Sequence, residues 1–154
     1  GRREAEAAAT AARDGFRALG ALGGGCSIAA AEQRAISLAQ LGVLKTHVER
    51  RCAAESWTDW RGNGLALAPA SATLYDVAKH VVMPATVARR CSFVELLARE
   101  AQPPTWVVSH WWGSALLDLA ACLEQHAEDY GAKDRHGIIE QKGGNVDEIG
   151  RAHV

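Results

Sequence analysis

The sequence predicts a mainly α chain whose helical region leads into the first strand–turn–helix unit of an α/β domain. Three observations carry that reading. Leucine, valine and alanine recur at helical spacing between residues 30 and 101, in a chain rich in alanine, the strongest helix former. Trp106-Val-Val108 is a short apolar, β-branched run between Pro103-Pro104 and Gly113, the composition of a strand. From Ser114 to Tyr130 the helical period resumes, with Leu116, Leu119 or Ala120, Leu123 and Ala127 on one stripe.

The totals set the bounds. A length of 154 residues is one domain's worth of chain, or a piece of a larger one. Apolar residues make up 48%, enough for a core, and a formal net charge of −1 argues against a nucleic-acid surface. No run approaches the roughly 18 apolar residues of a membrane span. Cys26, Cys52, Cys91 and Cys122 are scattered and form no CxxC pair. Neither a zinc knuckle nor a disulfide framework is expected, and a reducing, cytoplasmic setting is. The chain starts at Gly1, its one methionine is Met83, and Ile149-Gly-Arg-Ala-His-Val154 resembles a translated sequencing adapter. These six residues are set aside from fold reasoning.

In chain order, residues 1–29 read as an alanine-rich helix followed by a hinge at Gly23-Gly24-Gly25. No strand precedes the triplet and no Lys-Ser/Thr follows it, so it is not read as a phosphate loop. The helical region spans 30–104. Its first helix, Ala30 to Glu55, carries the stripe Leu38, Leu41, Leu44, Val48 and Cys52. Gly42 predicts a kink or close packing, and His47 is expected on the helix surface. Trp57 and Trp60 are expected to anchor a loop on the core, with a turn at Arg61-Gly-Asn-Gly64 and a short extended piece at Leu65-Ala-Leu67. Thr73-Leu-Tyr-Asp76 is a capping box opening a helix through Val82, ended by Pro84. Ser92-Phe-Val-Glu95 is a second box, with a helix to about Ala101.

Residues 105–131 form the βα unit, with a buried strand, a cap at Gly113 or Ser114, and Gly131 as C-cap. Ala132 to Glu148 is polar and aperiodic and reads as loop or disorder, so 132–154 is taken as a disordered tail. Gly137-Ile-Ile139 is too short to suggest a second strand. The chain is therefore expected to stop just after the first βα unit of a truncated α/β domain, leaving the strand edge unpaired.

Ligands of parallel α/β domains gather at the carboxyl ends of the strands. Ser109, His110, Trp111, Trp112 and Gly113 sit there and are the candidate ligand-facing residues. Adjacent residues of a strand point to opposite faces, so Ser109 and His110 cannot act as a nucleophile pair, and no G-x-S-x-G elbow surrounds Ser109. No catalytic residue is assigned. His80, His110, His126 and Cys122 match no ligand spacing, so neither a metal nor a cofactor is expected.

The segments Leu41 to Cys52, Trp57-Thr-Asp-Trp60, Thr73-Leu-Tyr-Asp76, Pro84-Ala-Thr86, Cys91-Ser-Phe-Val-Glu95, Val108-Ser-His-Trp-Trp-Gly113 and Leu117 to His126 follow one another in order. Together, over roughly residues 38 to 130, they resemble a family of dinoflagellate proteins marked by the Ser-His-Trp-Trp-Gly motif. The resemblance implies a protist origin, no particular activity, and a domain that continues downstream. A broader likeness is to Toll/interleukin-1-receptor-like domains, among α/β folds of flavodoxin-like kind, whose first strand commonly ends in Ser-His or Ser-Tyr. It implies a module that assembles signalling complexes. Some such domains cleave NAD with a glutamate on a later helix, and no position here matches that residue. The expected function is thus an intracellular interaction module with a protein partner or self-association. The alternative is an inactive fragment of a nucleotide- or NAD-processing enzyme with Ser109 and His110 lining its pocket.

Overall fold

Ser37 supplies the cap that starts the longest helix. Its hydroxyl accepts the Gln40 N–H at 3.1 Å while Gln40 Oε1 accepts the Ser37 N–H at 3.0 Å, which satisfies two donors that a helix start would leave unpaired. The computed structural model describes residues 2–3 and 25–130 together with the backbone of 136–141. In it, strand β1 (Ile36–Ser37) precedes helix α1 (Leu38–Glu55). The helix expected from Ala30 therefore begins eight residues later, after a 3-10 turn at Ala31–Gln33. Residue 102 is the cause: it accepts the Ala35 N–H, donates to Gln33 O and bonds Ala35 O through its side chain. Those backbone groups are not available to a helix.

Leu41, Leu44, Val48 and Cys52 are buried as their spacing predicts. His47 is buried too, at 0% exposure, which corrects its placement on the surface. It lies three residues after Leu44, on the core side of the same turn. Among the described residues nothing beyond the local helix lies within 4 Å of the position a Cβ on Gly42 would take, so they show no close packing there. Past Glu55 the chain turns at Ser56 (φ 52°). Trp57 is buried against His80, with rings stacked at 4.4 Å, and Trp60 stacks on Tyr75 at 4.6 Å. Gly62 and Gly64, at φ 76° and 74°, make the turn that brings Ala66 beside Thr58.

Helix α2 (Leu74–Val77) opens on the Thr73/Asp76 box. It does not stop at Val82 but continues as a π-helical stretch (Ala78–Val82) into α3 (Met83–Thr86). Pro84 has no N–H for the His80 carbonyl four residues back. Arg51 Nη1 donates to that carbonyl at 3.1 Å, and the wider π turn accommodates the ring. Helix α4 (Phe93–Leu97) starts at the Ser92/Glu95 box and ends short of Ala101, because Ala98 is extended. Glu95 is buried and accepts from Ile28 N, Ser92 N and Ser92 Oγ, tying the segment before β1 to α4. Burial raises its pKa, but these bonds and the nearby Arg34 outweigh that and hold the carboxyl below its usual range.

Strand β2 (Trp106–His110) and helix α5 (Leu116–Asp129) fall where expected. The strand is not buried: its residues alternate between half-buried and exposed, with Val107 at 62%. Helix α5 has Ala115 at its N-cap, not Gly113 or Ser114, and no side-chain cap, since the Leu116 N–H goes to Ala72 O at 3.0 Å. Strand β3 (His136–Gln141) lies inside the stretch read as loop or disorder, which corrects that reading for these residues. It runs parallel to β2, with Trp106 opposite Gly137 and His110 opposite Gln141, and antiparallel to β1. The sheet order is β1-β3-β2, so β2 is paired on one side and β2–α5–β3 is a closed βαβ unit. Ile138-Ile139 is the one apolar pair in this segment, and the polar residues around it concealed the strand.

The described chain is mainly α. Its core gathers α1, α2, α4 and α5 around Leu44, Val48, Val77, Val81, Phe93 and Leu116. The alanine-rich helix beyond Arg2 and Arg3, Gly23, Gly24, the Gly131 C-cap and the tail past Gln141 lie outside the described residues. Among the described residues no helix is long and apolar enough to cross a membrane.

Burial, with the Arg51 and Arg50 guanidinium groups behind it, lowers the His47 pKa to about 4. Below its unfolded value of about 6.5 the unfolded chain takes up a proton that the folded chain refuses. Stability contributed by neutral His47 is therefore complete above pH 6.5 and is lost, by about 3 kcal/mol, as pH falls toward 4. Denaturant titrations between pH 7 and 4.5 should show a shallower loss in His47→Gln than in the wild type. Equal slopes would refute the assignment.

Candidate functional site

Four residues apart on a strand, Trp106 and His110 share a face, and α5 lies across it. Between them is a cleft of about 530 Å³, lined by β2 and by Ser114, Asp118, Leu119, Cys122, Leu123 and His126. His126 meets the Trp106 ring edge-on at 4.9 Å and stacks obliquely on Tyr130 at 4.6 Å.

His110 is half-buried, and its Nδ1 lies 3.3 Å from Trp111 O. A carbonyl accepts, so Nδ1 carries the proton and Nε2 of the neutral ring presents a lone pair. Burial lowers the His110 pKa, only partly offset by the bond to Trp111, which favours that neutral form. Among the described residues, His110 Nε2 and Trp106 Nε1 are buried without a hydrogen-bond partner. Each costs about 1–3 kcal/mol while unmet. An acceptor and a donor thus stand unsatisfied on one wall of one cleft.

The five predicted residues do not converge. Ser109 and His110 border the cleft. Trp111 is 60% exposed, and its ring lies over Gly113, where a Cβ would come within 2.3 to 2.5 Å of three indole atoms. Trp112 is buried beside Tyr75, with ring centres 5.7 Å apart. The motif therefore divides its work: His110 faces the cleft, Trp112 anchors the turn in the core, and Gly113 seats the exposed Trp111.

Sequence reasoning missed Trp106, Asp118, Cys122 and His126 as lining residues. The signal was present, because 118, 122 and 126 recur every four residues along one face of a helix. His110, Cys122 and His126 share the cleft, while His80 is stacked on Trp57 elsewhere. No group of three or more metal-ligating side chains converges among the described residues.

Gly113→Ala should lower stability by about 1–3 kcal/mol through the forced displacement of Trp111. In the double variant Trp111→Ala/Gly113→Ala that added cost should vanish relative to Trp111→Ala alone. Additive losses by thermal unfolding would show that the ring is not what Gly113 accommodates. Comparison of the chain with protein-family models, with curated proteins and with solved structures returns no match.

Proposed function

We propose that the chain is a protein-interaction module that associates with a second copy of itself along β2. The observation that supports this is the state of that strand's outer edge. In the order β1-β3-β2, β2 has β3 on one side and no strand on the other among the described residues. Exposed edges are usually guarded by charge, proline or a bulge. Trp106-Val-Val-Ser-His110 contains neither a charge nor a proline.

Beside this edge stand Val107, 62% exposed, and Trp111, 60% exposed and seated on Gly113. A large aromatic held in place before binding is the residue type that dominates interface energetics. A two-fold axis across β2 would pair identical edges and place each Trp111 against the other copy, a self-complementary contact. The net charge of −1 opposes such pairing very little. The resemblance of the Ser-His end of β2 to Toll/interleukin-1-receptor-like domains, which assemble signalling complexes, would fit an interaction module.

Sedimentation velocity over a concentration series should show reversible self-association. Val107→Lys and Trp111→Ala should each shift it toward monomer by about tenfold in the dissociation constant, on the order of 1.4 kcal/mol. Both positions are exposed, so thermal unfolding should change little. A monomer at every concentration, or equal association in the variants, would overturn the proposal.

A further inference from the structure

We infer that the cleft between β2 and α5 binds an uncharged, largely aromatic small molecule that donates a hydrogen bond to His110 Nε2 and accepts one from Trp106 Nε1. The inference is independent of self-association, which uses the outer edge of β2. A cleft of about 530 Å³ lies within the roughly 300–1,000 Å³ typical of small-molecule sites, which combine an apolar lining with a few placed polar groups. Here Val108, Leu119 and Leu123 supply the apolar wall, and the two unpartnered nitrogens supply the polar pair.

The geometry also selects the ligand's shape. Residues 106 and 110 are four apart on a strand, so their Cα atoms are separated by roughly 13 Å. A molecule that meets both nitrogens is elongated, with a polar group at each end. Both residues line the cleft while their ring nitrogens are buried, so the imidazole and indole rings must turn toward the ligand as it enters.

Charge decides against the obvious competitor. A nucleotide needs cationic or backbone N–H partners for its phosphates. Among the described residues no lysine or arginine lines the cleft. Asp118 stands in the first turn of α5, where it already answers the positive end of the helix and would repel a phosphate. Burial favours the neutral His110 ring, its contact with Trp111 O puts the proton on Nδ1, and Nε2 is left as an acceptor, which suits a phenolic hydroxyl.

The test is a titration of the full chain with biphenol, a biphenyl bearing a hydroxyl at each end, followed by ¹H–¹⁵N NMR. Saturable shifts of the Trp106 indole N–H and the His110 Nε2 resonance are expected, with none on adding ADP. Biphenyl, which lacks the hydroxyls, should bind about tenfold more weakly, as should biphenol to His110→Phe. Cys122→Trp, an exposed position at the cleft, should abolish the shifts in a protein whose spectrum remains dispersed. Trp111→Ala, which weakens self-association, should bind biphenol like the wild type. If biphenol leaves both resonances unmoved, the inference fails. Equal binding by biphenyl, ADP or Cys122→Trp would also overturn it.

Discussion

Two helix starts depend on each other. The first N–H of α2, from Leu74, is accepted by Trp112 O and Ser114 O, in the segment leading into α5. The first N–H of α5, from Leu116, is accepted by Ala72 O, in the segment leading into α2. A helix start leaves its leading N–H groups without intrahelical partners. Here each lead-in strip serves the other helix, and an isolated pairing of Thr73 with Ala115 completes the exchange. Trp112 fills the space beside this junction, against Tyr75. The βα unit is thereby fixed to the helical region, and the directions of β2, His110 and Trp111 follow from it.

Buried polar groups extend the same logic. Asp76 accepts from Trp60 N as well as from both donors of Thr73, so one carboxylate caps α2 and holds the tryptophan loop. Glu95 does the same for α4 and the segment at Ile28. Gln40 and Gln102 exchange side-chain amide bonds at 2.8 Å, linking α1 to the approach of β2. Arg51 joins Glu55, the His80 carbonyl and the face of Trp57. Each group binds a helix end to a distant loop, which apolar contacts, being non-directional, do not specify.

What was legible in the sequence was local. The Thr73/Asp76 and Ser92/Glu95 boxes, the α1 and α5 stripes and the strand at Trp106 to Val108 are set by residues within a turn of one another. The Ser37/Gln40 box had the same signature but lay inside a periodic pattern that continued back to Ala30. What escaped depended on distant partners. Residue 102 unwinds the start of α1, Arg51 supports the helix through Pro84, and β3 takes its conformation from two neighbours. His47 shows a different limit: its position in the stripe was interior, and its polar character suggested otherwise. At the site, the motif's location was evident, but the separate destinations of Trp111 and Trp112 required the docking of the turn on 72–74.

The central strand of the sheet is the last of the three in the chain. β1 at residues 36–37 and β2 at 106–110 are not paired with each other; each pairs with β3 at 136–141. During synthesis both outer strands leave the ribosome before the strand that joins them exists. For that interval β2 presents two uncovered edges, and closing the sheet requires a contact spanning about a hundred residues, between β1 and β3. Non-local closure of this kind is slow, and unpaired edges in the meantime favour misassembly. The helices can condense early around their own core, so the rate at which the inner edge of β2 is covered is set by the arrival of one six-residue segment.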